Sequence, residues 1–231
     1  GHEPVSASVV PLVPAELGLT RELTVPEIEQ IVQRFAEAAK RAKAAGIDGV
    51  EIHAGHGYLI NQFLSRSTNK RMDEYGGNLA GRARFLLEII REVRKAVGAQ
   101  YPLWCRLDGQ EFSIAEGITR EEALETAAMI EKAGVDAIHV TGYGGSAGYH
   151  FTEAPLVNAP GSLIPLAKGI KRQVKIPVIA VGRIDLDTAE QLLRRGEADF
   201  IAMGRALLAD PELPQKIAEG PEEDIRQCIY C

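Results

Sequence analysis

The chain has 231 residues, 45% of them apolar, and a formal net charge of −6 with no block of Lys or Arg. That supports a sizeable core in one α/β barrel or one to two smaller domains, and it gives no electrostatic footprint for nucleic acid or an anionic membrane. No apolar run approaches the roughly 20 residues of a membrane span, "GHEPVSASVV" lacks the regions of a secretory signal, and Cys105, Cys228 and Cys231 are too few for a disulfide framework, so a cytoplasmic compartment is expected. From Leu23 onward, amphipathic helices alternate with short apolar strands. Thr24 caps a helix with Pro26 in its first turn; it runs to about Ala45 and stops at Gly46, before the strand "GVEIH". A helix from about Gly81 to Val97 precedes "YPLWCRLD", and one opening at Thr119, with Glu122 completing a capping box, precedes "DAIHVTG". Helices over about Leu163 to Val174 and Leu186 to Arg195 precede "IPVIAVG" and "DFIAMG", and a last helix starts at Arg205.

Strands alternating with helices of this length form parallel βα units, as an open doubly wound sheet or a closed (β/α)8 barrel, the TIM barrel. The strand ends favour the barrel. "VIAVGRI" and "FIAMGRALL" both finish on Gly-Arg, in consecutive units near the end of the chain. The loops after the last two strands of many barrels bind a phosphate. Gly182 and Gly204 would admit an anion to the backbone N–H groups, and Arg183 and Arg205 would add charge-assisted bonds. A single Gly-Arg would read as a turn followed by a solvated side chain; two in one register favour a phosphate. The chain then supplies roughly the last five strand units, and the expectation is a larger protein with the other strands before Gly1. Residues 1–227 would be a partial barrel and 228–231 the start of a cysteine motif.

The stretches "GVEIHAGHGYLINQFLS", "TNKRMDEYGGNLAGRARFLLEII", "RLD", "PVIAVGRI", "FIAMGRALLADPEL" and "CIYC" cover almost the whole chain. In that order they resemble the flavin-dependent old yellow enzymes, above all the iron-sulfur branch with the enoate reductases, 2,4-dienoyl-CoA reductase and trimethylamine dehydrogenase. The resemblance implies an FMN-binding barrel that takes hydride from NAD(P)H and passes it to an activated C=C bond of a small unsaturated carbonyl compound. It also implies a 4Fe-4S cluster to which Cys228 and Cys231 contribute, the other ligands lying beyond Cys231. In multidomain members a second nucleotide-binding region, with FAD as its cofactor, would follow. A homo-oligomer is compatible with it.

By the same resemblance Arg106 would meet the N1 and C2-carbonyl side of the flavin, where reduction leaves negative charge; the alternative is an outward Arg106 paired with a helix carboxylate. His53 and His56 would polarise the substrate carbonyl, since neutral imidazole, with a reference pKa of about 6.5, offers one N–H. Tyr58, with a reference pKa near 10, would protonate the α-carbon. The Gly-rich "HVTGYGGSAGYHFTEAP" reads as a substrate loop in which His150 either assists proton transfer or decorates the loop. Arg71, Asp73 and Tyr75 read as structural supports of the long loop over the barrel mouth. Three rivals remain: a metal-dependent hydrolase with His53, His56, His150 and Asp108 as ligands, which leaves the Gly-Arg ends and "CIYC" unexplained; a phosphate-handling isomerase or aldolase, which wants a Lys or Glu at a strand end; and an interaction module without cofactor.

Overall fold

The structure, a computed structural model, describes residues 3–11, 18–146, 149–151, 159–220 and 222–229, with the side chains of residues 145, 146, 149–151 and 222 outside the description. After a two-residue parallel pair, β1 (Val5–Ser6) and β2 (Arg21–Glu22), come α1 (Val25–Ala44), β3 (Val50–Ala54), α2 (Leu59–Leu64), α3 (Leu79–Val97), β4 (Leu103–Phe112), α4 (Arg120–Ala133), β5 (Ala137–Ser146), β6 (Tyr149–Phe151), α5 (Ile164–Gln173), β7 (Val178–Ala180), α6 (Leu186–Arg194), β8 (Phe200–Ile201), α7 (Arg205–Ala209) and α8 (Leu213–Glu219). Strands β3, β4, β5, β7 and β8 are parallel neighbours in chain order, and β6 folds back antiparallel on β5. This is five consecutive βα-type strands of a (β/α)8 barrel wall.

Local chemistry sets the helix ends. The Glu27 carboxylate accepts the Thr24 backbone N–H at 2.8 Å, satisfying a donor at the start of α1. At α4, Thr119 and Glu122 form the reciprocal box foreseen from their spacing. The helix of residues 79–97 begins two residues before Gly81 because the Asn78 side chain accepts the Gly81 N–H at 3.0 Å. Buried Ile28, Val32, Ala36 and Ala39 form one stripe of α1, and Phe85, Leu86, Ile89, Ile90 and Val93 one stripe of α3. Fully burying each large side chain contributes about 1.5–3 kcal/mol.

The strands present two faces. Ile52, Ala54, Cys105, Leu107, Ile138, Val140, Val178 and Ala180 are buried in the core shared with the helices. The opposite face, the inside of a barrel, carries a register row of His53, Arg106, His139, Ile179 and Phe200, half-buried apart from an exposed Phe200. Arg106 therefore lies on the inner face, not outward toward the helices.

One sequence reading needs correction, and one element was not foreseen. The Gly-rich segment is not loop throughout: β5 runs on to Ser146 and pairs antiparallel with β6, because Gly144 and Gly145 can continue an extended strand. The turn after β3 contains a short helix, α2, whose apolar Ile60, Phe63 and Leu64 pack into the core.

Candidate active site

Parallel strands deliver their C-terminal ends to one edge of the sheet, and β3 ends there in His53 and Ala54. The chain then turns through His56, a non-glycine residue at φ 61°, a conformation that persists only where neighbours enforce it. Here a buried carboxylate does so. Asp108, fully buried near the end of β4, accepts the His56 backbone N–H at 2.8 Å and the Asn61 side-chain amide at 3.0 Å, both on Oδ2. Asn61 in turn accepts the Gly57 N–H at 3.0 Å, and Gln62 donates to the Gly57 carbonyl at 2.9 Å. A register shift in the β4–β5 ladder between Asp108 and Glu111 marks a bulge, a device that re-aims side chains beside active sites. Burial raises the pKa of Asp108 well above the usual carboxylate value.

The turn gathers the three residues singled out from the sequence. The His53 and His56 rings meet edge to face with centroids 4.9 Å apart, and the Tyr58 ring lies 5.2 Å from His53. Tyr58 is 60% exposed, whereas His56 is buried. His56 Nε2 lies 2.9 Å from the Thr141 hydroxyl, and Arg106 Nη2 donates to the same hydroxyl at 3.4 Å. Burial first, and the Arg106 cation second, push His56 down to about 3 and lower His53 as well. Both rings are therefore neutral near pH 7, each with one N–H to donate.

Below His53 on the same face, Glu51 accepts from Trp104 Nε1 at 2.6 Å and bonds His139 Nδ1 at 2.9 Å. Burial opposes ionisation of Glu51, but these bonds outweigh it and hold the carboxyl below its ordinary value. Glu51, Trp104, His139, Thr141 and Asn61 were missed in the sequence. A signal existed for most of them: polar residues at alternate positions of apolar strands, as in "VEIH", "LWCRL" and "AIHVT", belong to one face.

At the same edge, Gly182-Arg183 follows β7 and Gly204-Arg205 follows β8, and both turns line one cleft. Gly182 has φ +116°, which alone explains glycine there. Gly204 has an ordinary φ of −95°, and a β-carbon on it would meet nothing within 4 Å. The local fold does not demand glycine at that position, and with nothing against its α-carbon the backbone there is open to a ligand, so these residues would fit a phosphate such as that of FMN. Cys228 lines a separate cavity of about 220 Å³ with Ile184, Met203 and Leu213. The tail that carries it is tied down by Asp210, which accepts the Arg226 N–H at 2.9 Å and pairs with Lys216 at 2.8 Å.

Not every predicted residue falls within the description. His150 pairs in register with Gly145, but its side chain lies outside the described residues, as does Cys231. Among the described residues no group of three or more His, Cys, Asp or Glu side chains could hold a metal ion, and no helix is long and apolar enough to cross a membrane. Arg71, read as structural, is buried and donates to the Ala7 and Leu23 carbonyls and to Asp73.

The chain is 47% identical over 237 residues to an NADH oxidase of Thermoanaerobacter brockii, covering 100% of the chain and 35% of that protein. It is 51% identical over 214 residues to a metal reductase of Desulforamulus reducens, covering 91% of the chain and 31% of that protein. Among solved structures, a 2-naphthoyl-CoA reductase in complex with 2-naphthoyl-CoA superposes with a TM-score of 0.90 at 39% identity, covering 99% of this chain and 35% of that one. The chain thus spans about a third of the length of these relatives. The family model for NADH:flavin oxidoreductases and NADH oxidases matches residues 5–224, and the chain belongs to that family.

Proposed function

We propose that the chain forms part of the catalytic barrel of an NAD(P)H-dependent flavin reductase whose substrate is a C=C bond conjugated to a carbonyl, as in an enoate, an enone or an unsaturated acyl thioester. The observation that carries this reading is the gathering of two neutral histidines and an exposed tyrosine at one strand edge, beside an inward-facing arginine. FMN, when bound, would supply hydride transfer from NAD(P)H to the β-carbon. Gly182, Arg183, Gly204 and Arg205 would hold its phosphate, and Arg106 would bring positive charge to the ring. His53 and His56 would donate hydrogen bonds to the substrate carbonyl oxygen, drawing electron density from the double bond. Tyr58 would then deliver a proton to the α-carbon. The 2-naphthoyl-CoA bound by the superposing reductase supports an acyl thioester within this substrate class.

Cys228 and Cys231 would be ligands of a 4Fe-4S cluster in the complete protein. The resemblance of "CIYC" to the iron-sulfur branch supports that role, although zinc uses the same thiolate spacing. Purified full-length protein tests both parts. It should contain FMN, iron and sulfide and should oxidise NADH or NADPH when given an unsaturated acyl-CoA. Flavin-free protein inactive on enoates, enones and acyl thioesters would overturn the activity, and zinc in place of iron would overturn the cluster.

A further inference from the structure

The atoms around the His56 ring decide which of its two nitrogens carries the proton. Thr141, fully buried on β5, puts Oγ1 within 2.9 Å of His56 Nε2 and 3.4 Å of Arg106 Nη2. A guanidinium has donors and no acceptor, so Thr141 Oγ1 must accept from Arg106. The single hydroxyl proton of Thr141 is then left to point elsewhere, and among the described residues its oxygen has no hydrogen-bond partner besides these two. Among the described residues, the acceptor within its reach is His56 Nε2. The reverse arrangement, with Nε2–H donating to Thr141, would leave a fully buried hydroxyl proton without an acceptor, which costs about 1–3 kcal/mol.

Asp108 agrees with this direction. Its Oδ1 lies 4.0 Å from Nε2, and its Oδ2 is already occupied by two N–H donors. Burial raises its pKa well above the usual carboxylate value, which weakens the pull that an ionised Oδ1 would exert on a proton at Nε2. His56 is at the same time held neutral, with a pKa of about 3, so the ring has one proton to place.

We propose that Thr141 is a positioning residue that relays the direction of the Arg106 hydrogen bond to His56 and fixes it as the Nδ1–H tautomer. Resting on the substrate role given above to His56, this makes Nδ1 the only donor that ring offers, so the site selects ligands that present an acceptor oxygen, a carbonyl or a phenolate. Ligands presenting a donor such as an ammonium group are disfavoured there.

Nitrogen-15 NMR of full-length holoprotein labelled on histidine, with His56 assigned by its loss in His56→Gln, reads the tautomer without any turnover. The expected result is a protonated Nδ1 and an unprotonated Nε2 in the wild type and in Thr141→Ser, with Thr141→Val moving population to Nε2–H. Titration with 4-hydroxybenzaldehyde should show binding about tenfold weaker in Thr141→Val and restored in Thr141→Ser. Nε2–H in the wild type overturns the proposal even if Thr141→Val fails to fold, and so does an unchanged tautomer in Thr141→Val. A tautomer as expected in a protein that reduces no alkene would leave this assignment standing and defeat only the proposed function.

Discussion

The turn after β3 and the turns after β7 and β8 leave the same edge of the sheet, and each region holds a non-glycine residue at positive φ, His56 at 61° and Arg183 at 52°, yet they differ at their glycines. In the first, the strained His56 backbone, Gly57 and α2 are locked by Asp108, Asn61 and Gln62, all from within the chain. In the second pair, Gly204 has neither an unusual φ nor a crowding neighbour to account for it. Under the proposed function, the first turn is organised in advance by the protein, and the turn at Gly204 leaves its backbone open to a ligand. Preorganised donors contribute most where charge develops during reaction, whereas a phosphate anchor needs only affinity.

If that division is correct, the largest effect follows from Tyr58→Phe. Steady-state reduction of an activated alkene should fall by about 10²- to 10⁴-fold, the usual contribution of a general acid, with flavin content unchanged. Next is the pH dependence of stability. The folded value for His56, about 3, lies below its ordinary 6.5, so between those limits the unfolded chain binds a proton that the native state refuses. The contribution is intact above pH 6.5 and lost as pH falls toward 3. Unfolding of His56→Gln in urea across that range should therefore show a shallower decline on acidification than the wild type, and parallel curves would remove the buried neutral histidine from the account.

Asp108→Ala should destabilise by about 2–4 kcal/mol, because it strands two buried donors, the His56 N–H and the Asn61 amide, while Asp108→Asn keeps an acceptor and should cost less. Thermal unfolding checks the order of the pair. At the other turns, Arg205→Ala should weaken FMN by about 1.5–3 kcal/mol. Gly204→Ala should also lower flavin affinity while leaving the fold intact. Gly182→Ala, forced to hold a φ of +116°, should lose stability as well, and flavin titration beside thermal melts distinguishes the two glycines.

The same contrast governs what could be read from the amino acids. Helices were legible because their signals are local: Thr119 with Glu122, Pro26 in a first turn, and apolar residues three and four apart. His53, His56 and Tyr58 were legible because they lie within six positions of one another. Asp108 is 52 positions from the His56 N–H it accepts, and Thr141 is 85 positions from His56, so only the strand register joins them. Asp108 in particular was noticed solely as a metal ligand in a rival reading, whereas in the structure its Oδ2 is filled by two N–H donors. The antiparallel β5–β6 pair was hidden because Gly144 and Gly145 read as loop formers, while pairing with the neighbouring strand holds them extended.

The most direct test of the proposed division of labour is anaerobic stopped-flow of full-length Tyr58→Phe against the wild type, following flavin reduction by NAD(P)H and reoxidation by an unsaturated acyl-CoA as separate traces. The account predicts reduction within about twofold of the wild type and reoxidation slowed by about 10²-fold or more. Equal slowing of both traces would make Tyr58 a support of the fold or the flavin, and two unaffected traces would leave the turn after β3 without the proton donor on which the proposed chemistry depends.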